Sequence, residues 1–333
     1  MKIALILAAY AAVLAVAGPR VMTRAAWTTR APRLAIVAWQ ALCAAVVASV
    51  LLAGLALAVP TMRISGGLAM LLRACGMALR AQYATPGGAA VSTVGAGLAV
   101  AVAARLLWCL GGSLASARRE RTRHRRTLAL VGAVHGDTGV SVVPDGRPAA
   151  YCLPGRGHRI VLTSAALAKL GPDELAAVIA HERAHVRGRH HLALAFADAL
   201  AAAFPRITLF ATAESETRRL VELAADDAAC ASTDELTLAE ALLSMAGAGA
   251  PVAPVAALAA GGDVGDVGDR IRRLIDGRRP LPRWGSRLGL VAALALIVVP
   301  FVLAAEPAVA VASMNYCPLY AHTCPMLGHS GSS

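Results

Sequence analysis

Two histidines separated by three residues, with a glutamate directly after the first, lie in the middle of the chain. His181, Glu182 and His185 belong to residues 172–191, PDELAAVIAHERAHVRGRHH. This run predicts a helix, because a proline suits its first position, acidic residues follow in the first turn and apolar residues form one stripe. Residues four apart share a helix face, so both imidazoles could bind one zinc ion. Glu182 could then activate a water on that ion, whereas the alternative is a helix whose polar residues only face solvent.

A third metal ligand is available in a second run that predicts a helix, TRRLVELAADDAACA at residues 217–231. Glu222 and Asp226 are again four residues apart in it. Glu222 would complete a set of two histidines and one glutamate with a fourth position open to water, as in catalytic zinc sites. Asp226 would accept the remaining N–H of a ligand histidine. The alternative is a solvated helix face with exposed charges.

These two motifs, in an apolar chain, resemble those of membrane metallopeptidases of the BlaR/MecR type, relatives of the HtpX-like gluzincins. Two upstream segments extend the resemblance to residues 128–231: AYCLPG at 150–155 and RIVLT at 159–163. The resemblance implies zinc-dependent peptide hydrolysis, with an extended peptide paired to a strand edge beside the zinc helix. The chain departs from the pattern in two respects. It has Arg189, His190 and His191 where the family often has Arg-Arg-Asp, and only a short segment follows the last apolar run, so we expect no penicillin-binding sensor domain.

The composition predicts an integral membrane protein. Hydrophobic residues make up 57% of the chain, charged residues only 16%, and the mean hydropathy is +0.61. The net charge of +12 could indicate nucleic-acid binding, but aromatic residues are just 4%. Because the arginines cluster beside apolar runs, topology explains the basicity better, and we expect no direct nucleic-acid binding.

Four apolar runs predict transmembrane helices. The first could instead belong to a signal peptide, but the arginines that follow it favour an uncleaved helix with a cytoplasmic loop after it. Residues 66–79, interrupted by Arg73, are better suited to the outer interface than to a span. Arg105, inside the third span, would snorkel or face the bundle interior. The predicted spans are residues 3–17, 34–59, 89–114 and 288–305.

The basic segment RRERTRHRR at residues 118–126 follows the third span and favours a cytoplasmic position for what comes next. The predicted fold class is therefore a mainly α membrane protein, with an α+β gluzincin-like domain inserted between spans three and four. Its first part is β-like, with short strands at 139–143, 149–153 and 159–163. The predicted regions are a membrane region at 1–117, the cytoplasmic peptidase domain at 118–287, the fourth span at 288–305 and an exported tail at 306–333.

Several features after the first motif are less specific. Residues 192–204 and 207–213 predict a pair of helical pieces, packed on the domain or dipping into the inner leaflet. His190 and His191 could bind metal or polarise a carbonyl, but at most one can face the site, and we predict both at the surface. Residues 247–268 indicate a mobile loop, and 269–275 a short amphipathic helix.

Most cysteines are predicted to be small apolar residues. Cys317 and Cys324 are different, because they lie in the predicted exported tail and could form a disulfide across a small loop. The alternative there is a soft metal site with His322 and His329. The cysteines predicted to be apolar are Cys43, Cys75, Cys109, Cys152 and Cys230.

The functional prediction is a multi-pass plasma-membrane zinc endopeptidase with its active site in the cytoplasm. By resemblance, its substrate would be a cytoplasmic or membrane-proximal protein, such as a BlaI-like winged-helix repressor. Two alternatives stay open: an HtpX-like quality-control protease, and a non-catalytic membrane sensor that keeps zinc for folding.

Overall fold

The structure is a computed structural model that describes residues 2–58, 88–131, 133–135, 140–153, 159–246, 258–259 and 264–314. Its helices are α1 (Lys2–Arg24), α2 (Trp27–Arg30), α3 (Pro32–Ala58), α4 (Gly88–Val131), α5 (Ser164–Lys169), α6 (Pro172–Arg187), α7 (His190–Ala203), α8 (Thr208–Ala229), α9 (Glu235–Ala246), α10 (Val264–Ile275) and α11 (Arg283–Met314). Its strands are β1 (Ala133–His135), β2 (Val140–Val143), β3 (Ala150–Leu153), β4 (Arg159–Thr163) and β5 (Leu258–Ala259).

Four helices of the described chain are long and apolar enough to cross a membrane, judged by length and composition. The expectation of several apolar helices is thus confirmed, while the number of crossings and their direction stay predictions. Helix α1 does not end near residue 17 but continues through Pro19 to Arg24. The basic residues 118–126 continue the third apolar helix, α4, without a break. The four candidate segments are Lys2–Arg24, Pro32–Ala58, Gly88–His124 and Arg283–Ala305.

A small sheet has the strand order β1-β2-β4-β3-β5. The three strands predicted from sequence are present as β2, β3 and β4, each within one residue of the expected start. Strands β3 and β4 are antiparallel, and β2 runs parallel to β4. The other edge of β3 pairs with β5 through Tyr151 and Cys152, opposite Ala259 and Leu258. This edge of β3 is therefore partly paired with the chain itself, and the binding of an extended peptide at a strand edge stays a prediction.

Helix α6 lies between two apolar clusters that fix its position. One side packs on the sheet through Val178, which joins Ile160 and Leu162 in a buried cluster. The other side packs on α8, α9 and α10 through Ala177, which joins Leu238 and other residues in a second cluster. Burying apolar side chains on both sides leaves only one face of the helix for polar residues.

The largest buried apolar cluster joins α1, α3, α7 and α8. Residues 207–213, predicted as a separate helical piece, instead open the 22-residue helix α8. The correction has a simple cause, since Phe210 and Ala213 pack beside Trp39 on α3 and no breaker interrupts the helix after Thr208. The helix that carries Glu222 is therefore anchored on an apolar candidate span.

Arg105 contacts the end of α7. Its Nε donates a hydrogen bond to the carbonyl oxygen of Ala203, the last residue of α7, and Ser113 Oγ lies 3.5 Å from the carbonyl oxygen of Ala195. Helices α4 and α7 therefore run antiparallel along this stretch. The last carbonyls of a helix lack partners within it, so Arg105 stabilises the end of α7, which accounts for a charge inside an apolar helix. Arg105 remains exposed apart from this contact, so snorkelling and an inward orientation both stay predictions.

Several predicted features fall partly or wholly outside the described residues. The predicted loop 247–268 is one of them: its last residues, 264–268, are helical and begin α10, and residues 258–259 form β5. Residues 247–257 and 260–263 are outside the described chain. So are residues 59–87 between α3 and α4, which include Cys75 and the predicted interfacial segment 66–79, and the part of the tail with Cys317 and Cys324.

Glycines allow α3 and α4 to pack closely. A Cβ atom added at Gly95 would lie 2.6 Å from the Cβ of Leu57, whereas one added at Gly97 would meet nothing within 4 Å. We expect Gly95→Ala to destabilise the protein by about 1–3 kcal/mol relative to Gly97→Ala, because the extra methyl overpacks the contact. Thermal unfolding in detergent measures the difference. Equal stability of the two variants would contradict this packing.

Candidate metal centre

The helix that carries the two histidines begins as its sequence predicts. Pro172 occupies the first turn of α6, and the backbone N–H of Gly171 donates to Glu174 Oε2 at 2.8 Å. Ser244 Oγ of α9 donates to the other oxygen of Glu174 at 3.2 Å. Glu174 therefore both caps α6 and fixes it against α9, which sets the direction of the histidine-bearing face.

His181, His185 and Glu222 converge at the polar face of α6. The two Nε2 atoms lie 3.1 Å apart. Glu222 Oε2 is 3.5 Å from Nε2 of His181, and Glu222 Oε1 is 3.5 Å from Nε2 of His185. In a tetrahedral zinc site, ligand atoms are about 3.3 Å apart, since each lies about 2.0–2.1 Å from the ion. The three side chains present therefore fit the group that the sequence predicts.

The ligand group is built from separate parts of the chain. All of its ligand atoms lie within 4.8 Å of one another, and it is the single group of three or more such residues found among the described residues. The histidines are at most 1% exposed, and Glu222 is 8% exposed. Because burying an uncompensated carboxylate is costly, a buried cluster of this kind favours a bound cation.

Asp226 lies where the sequence predicts, one turn after Glu222. Its Oδ1 is 3.0 Å from Nδ1 of His181, the ring nitrogen that faces away from Glu222. A carboxylate at this atom holds the ring in the tautomer whose Nε2 has a free lone pair. Asp226 is fully buried, so it needs further partners for its charge.

Arg270 of α10 supplies a positive charge beside Asp226. No pattern in the sequence indicated this residue. Its guanidinium donates from Nε and Nη2 to the two oxygens of Asp226, at 2.8 and 2.7 Å. Its Nη1 lies 3.1 Å from Glu222 Oε2. The side chain is fully buried. A planar guanidinium suits this bidentate contact, and in this site it links the ligand Glu222 to Asp226.

The buried charges shift the pKa of each ligand in a different direction. Burial lowers the pKa of His181, but the contacts with Asp226 and Glu222 outweigh burial and raise it to about 9. Burial lowers the pKa of His185 to about 3. Burial raises the pKa of Glu222, but the electrostatic interactions with His185 and Arg270 lower it more strongly, to about 2. Without a metal at neutral pH, the proton of the cluster therefore resides on His181.

Glu182 is fully buried beside these ligands, and neither of its carboxylate oxygens has a nitrogen or oxygen hydrogen-bond partner in the described part of the chain. Burial raises its pKa to about 7. A group with a pKa near the working pH is well suited to accept and return a proton. Cys152 on β3 lies near this carboxylate. Burial raises the pKa of its thiol, so it stays protonated.

The sequence predicts His190 at the surface, but the structure buries it. It is only 6% exposed, and its Nδ1 lies 3.0 Å from Nδ1 of His185. The prediction was wrong because α7 begins immediately after a tight turn, which brings the first residue of α7 back over α6. The neighbouring His191 is partly exposed.

We expect metal binding to release more protons in the wild-type protein than in an Asp226→Asn variant. Asp226 holds the proton on His181, and the metal must displace it. At pH 8 the difference should approach one proton, and it should shrink above pH 9, where the proton of wild-type His181 is lost. Calorimetric zinc titrations in buffers of different ionisation enthalpy measure the release, and equal release by the two proteins would contradict the proton assignment.

We also expect Arg270→Met to weaken metal binding by about 10- to 100-fold, because Glu222 and Asp226 would lose their shared cation and move apart. Arg270→Lys should restore part of the affinity, since it keeps the charge but not the bidentate geometry. Arg272→Met, at an exposed position on the same helix, is the matched control. Competition with a chromophoric chelator measures the affinities. A wild-type affinity for Arg270→Met would exclude this role.

Comparison with known proteins adds one finding. Residues 117–246 match the family model of peptidase family M48. The match includes β1 to β4 and α5 to α9, and thus all three residues of the ligand group. No curated protein and no solved structure matches the chain significantly. Peptidases of this family are metal-dependent, usually with zinc. Residues 117–246, which contain the His181, His185 and Glu222 group, are thus similar to the metallopeptidases of family M48.

Proposed function

We propose that the protein is an integral membrane zinc endopeptidase. The observation that carries this proposal is the convergence of His181, His185 and Glu222 next to Glu182, a buried carboxylate without a nitrogen or oxygen hydrogen-bond partner among the described residues. A structural zinc site would close the fourth position with a further histidine or cysteine. Among the described residues, no such fourth ligand joins the group.

The residues have separate roles in the proposed reaction. A bound zinc ion would polarise the scissile carbonyl and make the attacking water more acidic. Glu182 takes the proton of that water and later returns a proton to the leaving amine. Asp226 keeps the Nε2 lone pair of His181 directed at the site, and Arg270 holds both carboxylates of α8 in place.

Glu182→Gln should abolish peptide hydrolysis, with a loss of at least about 10²- to 10⁴-fold, because the amide cannot accept the proton. Zinc content should not change, since the ligands are intact. Arg183→Gln alters the exposed neighbour of Glu182 and should keep full activity. Cleavage of an unfolded reporter protein and elemental analysis measure the two properties. Hydrolysis by zinc-loaded Glu182→Gln protein at the wild-type rate would refute the proposal.

The substrate we propose is a cytoplasmic or membrane-proximal protein. Glu222 lies on α8, which packs on α3, a candidate span, so the site is close to the apolar helices. The basic residues that flank those helices support a cytoplasmic position for the site. Within this class, a BlaI-like repressor remains a proposal from the resemblance to the BlaR/MecR type.

Regulated proteolysis and quality control predict different results in cells. A regulator should leave one protein uncleaved in cells that carry Glu182→Gln, and that protein should be a small DNA-binding repressor. A quality-control protease should leave many membrane proteins at raised levels. Quantitative proteomics with wild-type and variant cells separates them. Normal signalling by the variant in the absence of any proteolysis would favour a non-catalytic sensor instead.

A further inference from the structure

His185 has a buried partner on the side of its ring that faces away from the other ligands. Its Nε2 lies near His181 and Glu222, while its Nδ1 lies 3.0 Å from Nδ1 of His190. The two rings meet edge to face, with centroids 4.9 Å apart and an interplanar angle of 89°. Two nitrogen atoms at this distance share one hydrogen, so one donates and the other accepts.

The direction of this hydrogen bond follows from the role of His185. A histidine that binds metal through Nε2 carries its hydrogen on Nδ1, so Nδ1 of His185 donates and Nδ1 of His190 accepts. We propose that His190 is a positioning residue, which holds His185 in the tautomer and ring orientation that present the Nε2 lone pair to the metal. This inference rests on the proposed zinc site and adds a residue to it.

The turn before α7 is shaped to place this ring. A Cβ atom added at Gly188 would lie 2.3 Å from Nε2 of His190 and 2.6 Å from its Cδ2. A larger residue at position 188 would therefore force the imidazole to move from its place over the end of α6. Arg189, the next residue, has φ 50° and ψ 36°, and it is the single non-glycine residue with positive φ in the described chain. A non-glycine residue in this strained region indicates that the turn is held in place by its surroundings.

His190 and Asp226 are the partners of the two ligand histidines, and they differ in charge. Because Nδ1 of His190 accepts this hydrogen bond, its buried ring carries no charge. Asp226 is negative, but Arg270 compensates its charge. Neither partner of the ligand histidines therefore adds net charge, and Glu222 alone supplies the negative charge of the ligand set. An ion bound to this ligand set would therefore keep much of its positive charge. That charge favours polarisation of a carbonyl.

The test measures zinc affinity in a Glu182→Gln background, so that the readout does not depend on hydrolysis. His190→Leu should weaken binding by about 10- to 100-fold, because the Nδ1–H of His185 loses its acceptor. His190→Asn should stay within about threefold of wild type, because its amide oxygen can accept the same hydrogen bond. Gly188→Ala should resemble His190→Leu, since it displaces the ring without removing it.

Two controls separate positioning from folding. Arg189→Gly relieves the positive φ and leaves the His190 ring in place, so zinc affinity should not fall. Thermal unfolding of each metal-free variant shows whether it is folded. If His190→Leu does not fold, His190→Asn and Gly188→Ala decide the question.

The inference is overturned if folded His190→Leu binds zinc as tightly as wild type, if His190→Asn is as weak as His190→Leu, or if Gly188→Ala keeps full affinity. A wild-type protein that binds no zinc would instead refute the proposed function as a whole. The two failures are therefore distinguishable in one series of titrations.

Discussion

The site depends on the burial of two carboxylates side by side on α8. Glu222 and Asp226 are one turn apart, and unpaired charges at this depth would prevent the helix from packing. Arg270 compensates part of the negative charge of these carboxylates. The histidines of α6 lie against the same carboxylates. A divalent cation would complete the balance. The packing of α6, α8 and α10 is thus inseparable from the electrostatics of the ligand group.

Helix α8 connects the apolar helices with the ligand group. Residues from Leu209 to Ala224 belong to the apolar cluster with α1 and α3, and the last two turns of the helix also carry the ligand Glu222 and Asp226. Because α8 is one continuous helix, its packing on α3 helps to fix the position of the ligand Glu222. This connection is compatible both with a sensor that regulates proteolysis and with a protease that receives substrates from the membrane.

The ligand histidines each have a different partner on the far ring nitrogen. His181 faces a carboxylate whose charge is compensated by Arg270, and His185 faces the neutral ring of His190. Both arrangements fix a tautomer, which is what a metal ligand needs. They differ in the proton that the metal must displace, because only the carboxylate raises the pKa of its histidine.

Local sequence was enough to identify the ligand group. The spacing of His181 and His185 depends only on helix geometry, and the proline and acidic residues before them indicate where α6 begins. The apolar runs that form long helices could also be identified from the sequence, because hydropathy and the absence of charge are properties of the segment itself. The same holds for the three short strands, where β-branched residues lie between turn residues.

Tertiary structure decided the features that depend on distant residues. Arg270 lies 44 positions after Asp226, and nothing in an amphipathic run marks one arginine as the partner of a buried carboxylate. His190 was predicted at the surface because helical periodicity does not extend through the strained turn at Gly188 and Arg189. The continuation of α8 back to Thr208 reflects packing on α3. In each case the deciding energy comes from burial against another element, which local residue patterns do not contain.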